Sequence, residues 1–204
     1  MSVTVVTPPS FDAVSADDMM SFLHLNDDTE SDLISSLVQA ATDQFTNDTG
    51  GHVLCSQTLR LALDNWPDSH YCRHSFYQSS RGTITIPRGP VSSVTSVQYL
   101  DAAGSWQTLT GWTADTSSTA ARVILPSSLP ALHASQLPAV KVTFVAGYAD
   151  GAIPASALVG VRLLASHWYE QRTAFSDTEL KPLPAGWAAL TARYALGINH
   201  EVNR

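Results

Sequence analysis

Positive charge is missing from the first third of the chain. The first basic residue is Arg60, and nine acids precede it: Asp12, Asp17, Asp18, Asp27, Asp28, Glu30, Asp32, Asp43 and Asp48. All eleven Lys and Arg lie from Arg60 onward, among the other nine acids, for a net charge of −7 over 204 residues. Such an acidic segment repels phosphate and is a poor surface for gripping nucleic acid. It suits docking on a basic protein, a passage through which DNA slides without adhering, or a solvated face. Cysteine is almost as scarce, with only Cys55 and Cys72, which excludes a disulfide-rich secreted scaffold and favours folding in the cytosol. No stretch approaches the roughly 18 apolar residues of a membrane span, so no membrane partner is expected. The opening MSVTVVTPPSFDAVS has no basic region and too short an apolar run for a secretory signal.

The motifs of catalysis are also missing. The sequence has no GxSxG, P-loop, GxGxxG or HExxH, and its glycines at 147, 151 and 160 are too dispersed to cradle phosphate. Two constellations remain. His167 and Glu170 lie three apart in HWYEQR, a spacing that on a helix suits metal binding or acid–base work, but no third ligand accompanies them. His52, Cys55, His70, Cys72 and His74 are zinc-compatible residue types, yet HxxC followed by HxCxH is not a recurrent finger spacing. Both are better read as structural: a polar edge of a core helix, and small buried residues with loop histidines. The expectation is therefore no catalytic residues, no metal and no cofactor, with a metal-dependent enzyme as the alternative.

What the sequence does contain is 44% apolar residues in two periodicities. Residues 1–14 read as an extended arm, with Pro8 and Pro9 barring a helix. Ser15 and Asp18 have capping-box spacing ahead of a short helix. Asp27 and Glu30 repeat that spacing before a helix whose Leu33, Ile34, Leu37, Val38, Ala41 and Phe45 form one apolar face, stopped at Gly50 and Gly51. From about 53 to 148 the period changes to two, giving about six short strands. DAAG at 101–104 reads as a hairpin turn with Gly104 left-handed. A helix over 154–172 follows Pro154. Leu158, Val161, Leu164, Ala165 and Trp168 share its broad face and Val159, Leu163 and Tyr169 widen it, so it is expected to be buried on most sides. A polar linker over 173–183 leads to a last amphipathic helix carrying Trp187, Leu190, Tyr194 and Leu196.

The expected architecture is α+β: a small helical bundle made of the N-terminal helices, the buried 154–172 helix and the C-terminal helix, with an inserted antiparallel β-sheet lobe. The boundaries are an arm over 1–14, one domain over 15–196 (helical 15–51, β lobe 52–150, helical 151–196) and a tail over 197–204.

This order of segments resembles the head–tail connector, or adaptor, proteins of long-tailed bacteriophages. The resemblance is carried by HLNDDTESDLISSLVQAATDQFTNDTGG, QTLRLALDNWP, ITIPRGPVSSVTSVQYLDAAGSW and VKVTFVAGYADGAIPASALVGVRLLASHWYEQR, in that order, across residues 15–196. It implies a structural virion protein at the head–tail junction, assembled in the host bacterial cytoplasm. Such proteins form a homo-oligomeric ring, typically of twelve copies, beneath the portal. The ring extends the channel through which DNA passes without sequence-specific binding, and it offers a docking surface to stopper or tail-completion proteins. The isolated subunit is free to be monomeric until the portal serves as template. A ring needs unlike faces that fit each other. Asp27, Asp28 and Glu30 against Arg60 and Arg88 are the expected subunit interface, with a channel lining as the other use of those acids. Trp187, Leu190, Tyr194 and Leu196 are the expected portal-facing anchor, or else close their own subunit's core. A tail-completion or other virion binding module is the alternative role.

Overall fold

The computed structural model describes residues 1–25, 28–67, 82–171 and 186–196. Along the chain these form β1 (Ser2–Thr7), α1 (Ala16–Phe22), a 3-10 turn (Asp28–Glu30), α2 (Ser31–Asp48), β2 (Gln57–Leu63), β3 (Thr83–Thr85), β4 (Val91–Leu100), β5 (Trp106–Thr108), β6 (Thr113–Asp115), β7 (Arg122–Ile124), β8 (Val140–Ala146), α3 (Ala155–Glu170) and α4 (Trp187–Tyr194). The fold is α+β, with helices at both ends of the chain and strands between. No helix among the described residues is long and apolar enough to cross a membrane.

Local chemistry explains most boundaries. The Ser15 hydroxyl accepts the Asp18 backbone N–H at 3.1 Å, capping α1. Glu30 occupies the cap position of α2 without a side-chain cap bond there, and Asp27, the other half of the second expected box, lies outside the described residues. Gly50 and Gly51 take φ of 70° and 117°, and the Gly51 N–H bonds the Thr46 carbonyl at 2.8 Å, ending α2. Asp101 to Ser105 closes the β4–β5 hairpin with Gly104 at φ 82°.

The strands make two antiparallel sheets where one was expected. The larger has the order β1-β2-β8-β4-β5 and the smaller β3-β7-β6. Leu61, Val97, Val142 and Phe144 of the first pack with Ile84 and Val123 of the second in one core, each no more than 3% exposed. The strands of the smaller sheet are three residues long, too short for a period of two to register in the sequence. Residues 2–7 are extended and pair with β2, Val3 opposite Leu61 and Val5 opposite Leu59.

A second core joins α1, α2, α3 and α4 through Met19, Ile34, Val38, Phe45, Val161, Leu164 and Trp187. The cores meet where residues 54–56 run beside 147–148. There the Tyr148 N–H bonds the Leu54 carbonyl and the Ser56 N–H bonds the Tyr148 carbonyl, both at 2.9 Å. Helix α3 buries Ala157, Gly160, Val161, Leu164 and Ala165. Val159 and Leu163, expected to widen the buried face, are instead 49% and 43% exposed. The second core covers one side of α3, and these two side chains project from the other.

Candidate assembly surfaces

Helix α4 is seated on its own subunit by all four residues of the expected portal anchor. Trp187 and Leu196 are buried, and Leu190 and Tyr194 are half-buried against the helical core. Leu190 fits over Gly160, where even a Cβ would fall 2.2 Å from its Cδ2. The Tyr194 hydroxyl pairs with the Ser156 hydroxyl at 2.6 Å. The Trp187 Nε1 donates to Asp48 at 2.7 Å, and the Leu196 N–H donates to the Thr49 carbonyl at 3.1 Å. The outward residues Ala188, Ala189, Ala192 and Arg193 are exposed.

Phe45 is the hub of this seat. Its ring meets those of His52, Trp187 and Tyr194 edge-on, at centroid separations of 6.1, 6.1 and 5.5 Å. His52 is 4% exposed, its Nε2 lies 3.1 Å from the Tyr148 hydroxyl, and its Nδ1 makes no well-formed hydrogen bond among the described residues. Burial pushes its pKa below the usual value, and the Tyr194 backbone opposes this more weakly. The fold thus favours neutral His52. Stability from this source is fully present above the unfolded pKa of about 6.5 and is lost as pH falls through that value toward the lower folded one. We predict that the urea midpoint falls between pH 8 and pH 5 by more in the wild-type chain than in His52→Phe. Equal falls would show that His52 carries none of the acid sensitivity.

Of the expected subunit-interface residues, Glu30, Arg60 and Arg88 lie on different elements, while Asp27 and the Asp28 side chain lie outside the described residues. Glu30 accepts a hydrogen bond from the Tyr169 hydroxyl, tying the start of α2 to the end of α3. Arg88 flanks Gly51 and lines a cleft of about 350 Å³ with Val3, Val5, Asp43, Asn47 and Leu59. Arg60 projects from the middle of β2, on the face of the larger sheet opposite to buried Leu59 and Leu61. Ion pairs among the described residues join the N-terminus to Asp64, Arg122 to Asp115 and Arg162 to Asp18. Neither Arg60 nor Arg88 has one there.

Two features of the same sheet face went unread in the sequence. Lys141 is diagonal to Arg60, because Arg60 pairs with Thr143 and Ala62 with Lys141. Its Nζ lies 3.5 Å from the centroid of the Trp106 ring. The signal was the alternation in VKVTFVA, where Val140, Val142 and Phe144 point inward and therefore Lys141 and Thr143 outward.

Of the chemical constellations, His167 and Glu170 lie near the end of α3, His167 half-buried and Glu170 exposed. His52 and Cys55 are buried, and burial with nearby Asp12 and Asp150 pushes the Cys55 thiol up to about 11. His70, Cys72, His74 and Arg172 lie outside the described residues. No group of three His, Cys, Asp or Glu stands together as a metal site among those described.

No protein-family profile matches the chain, and no curated protein sequence does. Solved structures do. It is similar to a chain in the neck of an empty gene transfer agent particle computed with C6 symmetry, at 25% identity and a TM-score of 0.75 over 95% of both chains. A chain in the virion of the native gene transfer agent particle matches over 95% of both chains with a TM-score of 0.74 and 24% identity. The neck of the native particle computed with C12 symmetry gives 25% identity and a TM-score of 0.69, over 95% of this chain and 94% of that one. Over nearly its whole length the chain has the fold of a neck component of a phage-like particle, consistent with the head–tail connector family that its sequence motifs resemble.

Proposed function

We propose that the chain is a structural neck protein of a tailed phage or related particle: an adaptor that assembles as a ring beneath the portal, continues the DNA channel and receives stopper or tail-completion proteins. The observation that carries this reading is the match to gene transfer agent necks over 95% of both chains. The C6 and C12 symmetries of those necks support many copies about one axis. The charge asymmetry supports unlike faces meeting around that axis. DNA passes an acidic N-terminal region that repels phosphate, and assembly takes place in the host cytoplasm before the ring becomes part of the virion.

For the portal contact we propose α4, presented through its outward Ala188, Ala189, Ala192 and Arg193. Trp187, Leu190, Tyr194 and Leu196 act indirectly, by holding that helix on its subunit. Particles produced without the chain test the function as a whole. The expected product is DNA-filled or leaking heads that lack tails. Normally tailed, infective particles would refute it.

A further inference from the structure

The outer face of the larger sheet carries charge that the described residues leave unbalanced. Arg60 and Lys141 are both half-buried, and neither has an acidic partner among the described residues. The Arg60 Nε is withdrawn from water without a hydrogen bond. Lys141 is fixed in place by its contact with Trp106, and both its burial and the Arg60 charge disfavour its protonated form. Two cations held side by side, with no counter-charge among the described residues, are a cost to the isolated chain.

The opposite imbalance occurs on α2. Asp32 and Asp43 are exposed and have no cationic partner among the described residues. They lie eleven positions apart, which is roughly three helical turns, so they share one side of the helix. Ser36, Gln39 and Ala40 between them are exposed and modest in size. No Lys or Arg precedes position 60, so α1 and α2 supply no counter-charge of their own, and Arg88, which lines the same cleft as Asp43, makes no ion pair with it.

We propose that the Arg60–Lys141 face of one copy docks the Asp32–Asp43 side of α2 in a second copy, and that this contact propagates the ring. The proposal rests on the adaptor reading and specifies which surfaces meet. Symmetry follows from the charges. Two identical sheet faces repel each other, and so do two identical α2 faces. Twofold dimers through either surface are therefore disfavoured, and the unlike pair is attracted. A contact between unlike faces is head-to-tail and closes into a ring when its rotation permits. Nucleic acid fits the patch less well, because the chain carries a net −7 and its acidic region opposes the approach of phosphate.

Charge exchange tests the pairing in particles. Arg60→Glu with Lys141→Glu is expected to lower the yield of tailed particles by roughly tenfold or more, since like charges then face each other. Asp32→Lys with Asp43→Lys is expected to do the same. Combining all four substitutions in one chain restores tail joining. Thermal melts confirm that each variant is folded. If the fourfold variant does not fold, co-production of the two double variants replaces it, because alternating copies rebuild every contact. Tail joining unaffected by R60E/K141E, or no rescue by the fourfold exchange and by co-production, overturns the pairing. Tailed particles in the complete absence of the chain overturn the adaptor reading itself, a separate and distinguishable result.

Discussion

Phe45→Ala is expected to lower the unfolding free energy by about 3–5 kcal/mol, the range for emptying a fully buried aromatic site. Phe45 is 0% exposed and touches three rings from two other segments, His52 before β2 and both Trp187 and Tyr194 of α4. The cavity removes the surface on which α4 rests, so the effect has a location as well as a size. Amide exchange of residues 187–194 is expected to accelerate more than exchange in β2, β4 and β8. Those strands belong to the other core and open only with global unfolding. A loss below 1 kcal/mol, or acceleration spread evenly over both cores, would show that α4 is held by other contacts. If α4 presents the portal contact, Phe45→Ala also weakens that contact without altering any outward residue.

Gly147→Ala is expected to be comparably severe for a different reason. Gly147 has φ 104°, and a Cβ there would lie 2.4 Å from the Cys55 carbonyl oxygen and 2.8 Å from the Ser56 nitrogen. Those atoms are backbone and cannot rotate away. They also belong to the crossing that joins the helical and sheet cores through the Leu54, Ser56 and Tyr148 hydrogen bonds. Positive-φ strain and the clash together predict a loss of ~4 kcal/mol or more. Gly151→Ala is the control: φ is 72°, but nothing lies within 4 Å of the added carbon, so only the left-handed strain of ~1–2 kcal/mol applies. Equal losses at 147 and 151, measured by urea unfolding, would mean that the crossing is looser than its geometry indicates.

Features set by residues a few positions apart were readable in the sequence. The Ser15 cap, the Gly50–Gly51 stop and the Asp101–Gly104 turn each depend on local hydrogen bonds or on the tolerance of glycine for positive φ. The long strands followed from the alternation of Leu59, Leu61 and Leu63. Features that depend on distant partners were not readable. The N-terminal segment becomes an edge strand only because β2 offers a free edge, and the smaller sheet is assembled from three-residue pieces. The exposure of Val159 and Leu163 reflects a core that reaches one side of α3 only. At the candidate site, Arg60 was identifiable as a cation in an alternating strand. Its neighbour Lys141 lies 81 positions later, and only the β2–β8 register brings the two together. Glu30 was singled out for its charge, but its hydrogen bond to Tyr169 spans 139 positions.

In the proposed role this chain works as repeated copies at the neck of a particle. Cryo-electron microscopy of that neck tests it most directly. Density is expected for a closed ring of this fold between portal and tail, with the Arg60–Lys141 face of each subunit against α2 of the next. Tailed particles whose neck contains no copy of the chain would contradict it.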